Sequence, residues 1–184
     1  MTVFLTTDRL RLRQFTAADA NPLIELDADP KVMRYLTGGL ATTRATVERE
    51  IIPLYLDHYR RYGTLGWWAA EELAGGRFLG WFEFRPLDGG SPEEVELGYR
   101  LNREAWGHGY ATEGALALIH KGFTELGVKR VVAFTMAVNT GSRRVMEKAG
   151  LRYVRTFHDR WPEPIEGSEF GEVEYALELA DWRP

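Results

Sequence analysis

The stretch WGHGYATEGALALIHKGF, residues 106–123, constrains this chain more than any other part of it. It reads as the start of a long helix running from about Tyr110 to Leu126 and stopped by Gly127. Two glycines, Gly107 and Gly109, stand directly ahead of that helix. A helix start is ordinarily capped by Ser, Thr, Asp or Asn, whose side-chain oxygen accepts from an orphan N–H of the first turn. Glycine gives up that bond and leaves the backbone bare. Either the chain turns tightly here or an anion approaches the main chain. A helix N-terminus suits an anion, because it offers unpaired N–H groups and the positive end of the helix dipole. Gly107, Gly109 and the small Ala111 alternate, and Thr112 adds a hydroxyl. Two phosphate signatures fail. Thr112 stands where the dinucleotide fingerprint needs its third glycine, and no Gly-Lys-Ser/Thr is present.

What flanks the glycines sets the fold class. EVELGYRL (94–101) alternates, with Val95, Leu97, Tyr99 and Leu101 on one side and Glu96, Gly98 and Arg100 on the other. The glycine turn therefore follows a strand, at the end where α/β proteins bind ligands. VKRVVAFTMAV (128–138) is a continuous β-branched run, expected of a strand covered on both faces. Upstream, RLRLRQF (9–15) alternates as a half-exposed strand, a helix starts after Thr16, and Asp29-Pro30 opens a short helix closed by Gly38-Gly39. A longer helix spans Thr43 to about Tyr62, with Pro53 expected to kink it. TLGWWAAEEL and RFLGWFEFRPL flank Ala74-Gly75-Gly76 as a hairpin. The chain closes with a helix from Thr140 to Ala149, strands in LRYVRTFHD and EVEYALEL, and a loop between those strands. This is a mixed α/β pattern, and 184 residues fit a single domain over 1–184.

Composition removes several chemistries. The absence of cysteine excludes a disulfide scaffold, a thiol nucleophile and a Cys-ligated zinc. No H-E-x-x-H or similar metal spacing occurs, so no metal is expected. A formal charge of -4 argues against nucleic acid as a partner and mildly favours a cationic one. The charged start MTVFLTTDRLRLRQF is unlike a signal peptide, and no apolar run approaches a membrane span. A cytoplasmic location away from membranes is the expectation.

Three elements in order then resemble a known family, the GNAT superfamily of acyl-CoA-dependent N-acetyltransferases, in its RimJ/RimL-like branch. Residues 106–111, Trp-Gly-His-Gly-Tyr-Ala, are similar to its Q/R-x-x-G-x-G/A pyrophosphate motif, with Trp106 in place of Gln or Arg. ELGYRL resembles its fourth strand, and Asn139-Thr140-Gly141-Ser142 with Glu147-Lys148-Ala149-Gly150-Leu151 resembles the branch's N-x-x-S…E-K-x-G-F element. TDRLRLR also fits, so the likeness covers nearly the whole chain.

The resemblance implies an α+β fold with a mixed, mostly antiparallel sheet of about seven strands flanked by helices. Its fourth and fifth strands would splay to admit acetyl-CoA as cosubstrate. The backbone from Gly107 through His108, Gly109, Tyr110 and Ala111 to Thr112 would hold the pyrophosphate. The backbone of Tyr99, Arg100 and Leu101 would pair with the pantetheine amides, and an amide near Tyr99 would meet the oxyanion. Asn139 would hold the pantetheine arm, or act as a helix cap. The acceptor would be a primary amine, on a protein N-terminus, which the RimJ/RimL-like branch favours, or on a small molecule, since that branch also contains enzymes for polyamines and antibiotics. Similar proteins commonly form homodimers. Transfer of another acyl group such as succinyl, or acyl-CoA binding without turnover, are the rival readings.

Two residues depart from the superfamily pattern. Met146 occupies the place of the usual proton-donating Tyr, seven residues after the Asn, and Ala133 and Phe134 stand where some relatives keep a Glu. Ser142 becomes the candidate donor to the leaving thiolate, unless it only caps the helix. Glu96 is the first choice as base, Glu83 the reserve, and Asp159, Glu163 and Glu166 are further carboxylates within reach. His58 and His120 read as packed or surface residues, His108 as positional, and His158 as a candidate for the acceptor cleft. Trp67 and Trp68 point to opposite faces, one toward core and one toward the cleft, and Trp161 is a candidate wall.

Overall fold

The computed structural model describes residues 2–183 apart from 88 and 159–162. Asp159 and Trp161, named above for the acceptor cleft, lie outside the described residues. Eight strands among the described residues form one sheet: β1 (Val3–Thr6), β2 (Leu10–Gln14), β3 (Gly66–Glu72), β4 (Phe78–Pro86), β5 (Glu94–Leu101), β6 (Arg130–Met136), β7 (Arg152–Phe157) and β8 (Glu172–Glu178). The spatial order is β1-β2-β3-β4-β5-β6-β8-β7. Every pair is antiparallel except β5 with β6, which run parallel. The α-helices among the described residues are α1 (Ala20–Ala28), α2 (Pro30–Thr37), α3 (Arg44–Thr46), α4 (Ile52–Tyr62), α5 (Tyr110–Glu125) and α6 (Thr140–Lys148).

The strand not expected from sequence is β1. Its four residues are too few for periodicity to register. Tertiary contact holds it, since Phe4 stacks on Trp68 with ring centroids 3.8 Å apart. The expected helix around Pro53 is real but broken in its winding. Val47–Ile51 widens to a π-turn, with Ile52 N–H donating to Val47 O, just before the proline that cannot donate at all.

The sheet buries both faces. On one, α5 and α6 cover Leu79, Phe82, Phe84, Leu97, Val131 and Ala133. The helix lies close because Gly114 and Gly122 meet the rings of Phe82 and Phe84 where larger residues would collide. On the other face, α1 and α4 pack Leu23, Leu26, Ile52 and Tyr55 against Ala69 and Trp81. Trp68 is fully buried toward the α5 face, while Trp67 turns to the α4 face and stacks on Tyr55 at 4.7 Å.

Candidate active site

β5 and β6 pair only over Glu94–Glu96 against Arg130–Val132, and their C-terminal ends are left unpaired with each other. The splay implied by the resemblance is present. Asn102 N–H donates to Leu79 O at 2.8 Å, so the two-residue alternation turns the backbone of Gly98 and Arg100 toward β4. The same alternation aims the N–H and C=O of Tyr99 and Leu101 into the gap. Arg100, named with them on sequence grounds, sends its guanidinium to Asp27 (2.6 Å) and over the Trp81 ring (5.0 Å). Trp106 Nε1–H donates to Leu101 O at 2.8 Å. The residue that departs from the family motif thus ties the glycine turn to the end of β5.

Gly107 and Gly109 adopt φ of +77° and +83°. Side chains are strained in that region, so glycine is needed there for conformation. A Cβ on Gly107 would meet nothing within 4 Å, and both residues are exposed. Tyr110, Ala111 and Thr112 open α5, where N–H groups have no acceptor within the helix.

Sequence reasoning missed the clamp behind this turn. Arg9 donates to His108 O (2.8 Å) and to the Glu113 carboxylate (2.6 Å), and its guanidinium lies 4.7 Å from the Tyr110 ring centre. The Thr7 hydroxyl and the Arg9 N–H complete the set on Glu113, at 2.6 and 3.0 Å. Burial pushes the Glu113 carboxyl up, but the hydrogen bonds from Thr7 and Arg9 outweigh it and hold it below the ordinary value. A carboxylate in the first turn of an anion-binding helix would repel a phosphate, and Arg9 offsets that charge. The available signal was Thr7-Asp8-Arg9 ahead of a strand. Tyr110 is used structurally, its hydroxyl donating to Glu72 at 2.8 Å.

Across the gap, Asn139 caps α6 by accepting from Ser142 N–H at 3.2 Å, and its amide donates to the Thr135 hydroxyl at 3.0 Å. The Tyr99 hydroxyl crosses from β5 to lie 3.0 Å from both Ser142 Oγ and Ser142 O. Burial pushes the Tyr99 phenol up, opposed by the Ser142 hydrogen bond, so it stays neutral. Met146 is buried among the core residues and carries no donor.

The opposite face of β5 carries the carboxylates. Glu83 on β4 stands directly across from Gly98, and Arg85 across from Glu96. Arg85 donates to Glu83 and to Glu96, each at 3.1 Å, and lies 5.0 Å from the Trp67 ring centre. Burial pushes the Glu83 carboxyl up to about 7, with the Glu96 charge adding to the shift and Arg85 opposing it. Glu96 borders a cleft of about 580 Å³ with Phe134, Phe157 and His158. Glu166 is engaged elsewhere, paired with Arg34 at 2.9 Å on the surface. His58 packs against Trp67 and lies 3.1 Å from Leu65 O, and His120 packs on Trp182.

A gap between parallel strands, a bare helix start at its mouth and a carboxylate pushed toward neutrality beside it suit transfer from a thioester to an amine. Residues 9–152 match the family model described as an Acetyltransferase (GNAT) domain.

This chain belongs to the GNAT acetyltransferases.

It is 32% identical to an FsC-acetyl coenzyme A-N(2)-transacetylase of Aspergillus fumigatus, over 97% of this chain and 77% of that protein. It is also similar to a solved GNAT-family acetyltransferase of Bacillus anthracis, with TM-score 0.80 at 26% identity, covering 96% of this chain and 99% of that one. A RimL ribosomal alpha-N-protein acetyltransferase in complex with coenzyme A shares the fold, with TM-score 0.79 at 16% identity over 96% and 97% of the two chains. Acetyl transfer from acetyl-CoA to an amine is the family's chemistry, and this GNAT enzyme has the architecture for it.

Proposed function

We propose that this GNAT enzyme acetylates the primary amine of a small molecule, with Glu83 as the general base. The observation that carries the proposal is the Glu83 carboxylate, seated against β5 and pushed up to about 7. An acceptor amine arrives as an ammonium and must lose a proton before it can attack. A base poised near neutrality accepts that proton at working pH. Burial raises Glu83, and the charge of Glu96, paired with the same arginine, adds to the shift.

The neutral nitrogen attacks the acetyl carbon of the thioester, directly or after proton transfer through one water. The carbonyl oxygen becomes an oxyanion facing the Tyr99 N–H in the gap. The C–N bond forms, the C–S bond breaks as the thiolate leaves, and the nitrogen gives up its second proton to water. Ser142 Oγ hydrogen-bonds the thiolate and relays to it a proton from water. The Tyr99 hydroxyl, 3.0 Å away, orients Ser142 and takes over part of the role that Met146 cannot fill. Gly107 to Thr112 cradle the pyrophosphate, and the gap edge of Tyr99 and Leu101 pairs with the pantetheine arm. A cleft of about 580 Å³ beside Glu96 lies within the range of small-molecule sites and has room for a small acceptor.

Thermal shift with acetyl-CoA, succinyl-CoA, CoA, NAD and ATP comes first, followed by a screen of small amines and of peptides with free N-termini. Stabilisation by the CoA compounds alone, and turnover of small amines with a limb in kcat/KM near pH 7, are expected. No shift with CoA compounds would defeat the cosubstrate reading. Turnover confined to peptides would defeat the acceptor class.

A further inference from the structure

We propose that Gly98 is a positioning residue: the missing side chain on β5 is the seat in which the Glu83 carboxylate lies. This rests on the reading of Glu83 as base. A Cβ on Gly98 would come within 2.8 Å of Glu83 Cγ and 2.9 Å of Cδ, and closer still to Oε1. No side chain occupies that space in the strand as it stands. The backbone does not require glycine here, because Gly98 is not among the residues with positive φ. Glycine weakens a strand interior and frequently marks a close approach. The close approach is by Glu83.

The neighbours on the same face lead away from the seat. Glu96 meets Arg85, and Arg100 leaves for Asp27. Glu83 lies over Gly98 on β5. The residue after Gly98 is Tyr99, whose N–H enters the gap. Base and oxyanion donor are thereby held at a separation set by one rigid strand. An alanine at 98 fits the strand's own conformation but displaces the carboxylate, shifting it toward solvent and away from the acceptor nitrogen.

The test compares wild type, Gly98→Ala, Glu83→Ala and the double variant, measuring kcat and KM across pH, CoA affinity by calorimetry, and melting temperature. Gly98→Ala is expected to lower kcat by about 10- to 100-fold, within the range of misplaced acid–base groups. It should move the limb of the pH profile below that of wild type while CoA affinity is retained. In the Glu83→Ala background the same change should add nothing, because no carboxylate remains to be displaced. Additive losses, an unmoved pH limb or weakened CoA binding would overturn the seat. If Glu83→Ala keeps full activity, the base reading fails. Carbon-detected NMR titration of the Glu83 carboxyl then judges the seat separately: a titration displaced in Gly98→Ala sustains it, and an unchanged one ends it.

Discussion

Two charge clusters lie on the same face of the sheet, one on β2 and β3 and the other on β4 and β5, and they behave in opposite ways. In the first, Arg13 donates to Asp19 through both terminal nitrogens (2.9 and 2.7 Å) and to Glu71 through Nε (2.7 Å), while Arg11 adds a second arginine on Glu71 at 2.8 Å. Side chains of Arg13, Asp19 and Glu71 are all below a tenth exposed. Burial pushes the Asp19 carboxyl up, but the hydrogen bonds from Arg13 and Thr16 win and hold it below the ordinary value. In the second cluster Arg85 reaches both Glu83 and Glu96 at 3.1 Å, and the balance goes the other way. Burial and the neighbouring carboxylate prevail over the arginine, and Glu83 rises to about 7. A buried carboxylate met by ample, close donors holds a fold together. One whose burial and neighbouring carboxylate outweigh its arginine is left with a proton to exchange.

The signs follow from that difference. Asp19 is depressed, so its stabilisation is present above the unfolded value of 3.8 and is lost as pH falls through the folded value. Glu83 is raised, so its contribution is present below the unfolded value of 4.5 and is lost as pH rises through about 7. Acid loosens the first cluster, and alkali loosens the second.

The strongest test of the contrast is Arg13→Met. It strands the buried Asp19 carboxylate, leaves Glu71 with Arg11 alone, and should destabilise the fold by about 3–5 kcal/mol, seen as a drop in melting temperature on the order of 10 °C. The remaining folded protein should keep its kcat, and lost turnover at an unchanged melting temperature would reverse the assignment. Glu83→Gln should do the opposite. We expect kcat to fall by roughly 100-fold or more, the pH limb to vanish, and the melting temperature above pH 7 to rise by a few degrees, because a neutral amide needs no desolvated charge. A variant with the wild-type pH profile would place the base elsewhere. Arg9→Ala, which uncovers Glu113 beneath the glycine turn, should weaken CoA binding by about 10-fold while leaving kcat at saturation. Calorimetry with CoA decides that. Ser142→Ala should have the smallest effect, lowering kcat by several-fold with CoA affinity nearly kept. An equal loss in affinity would make Ser142 a binding residue.

The helix behind Gly109, the β5 alternation from Val95 to Leu101 and the β-branched run of β6 were all legible in residue order. Their signals are local: a period, a cap, a stop. The glycine turn at the mouth of the gap was legible for the same reason, because Gly107, Gly109 and the start of α5 are contiguous. So was the departure at Met146. The shift at Glu83 was not. Glu96 stood nearer the expected thioester along the chain, but Glu83 is raised by burial and by the Glu96 charge against the pull of Arg85, and these act across strands. The Arg9 clamp spans about a hundred residues, the Tyr99–Ser142 contact bridges two elements, and Phe4 finds Trp68 only once the sheet exists. Local periodicity and motif order determined the family and the sheet with its splay. Which proton a carboxylate holds depends on what surrounds it in three dimensions, and that was decided by the tertiary structure alone.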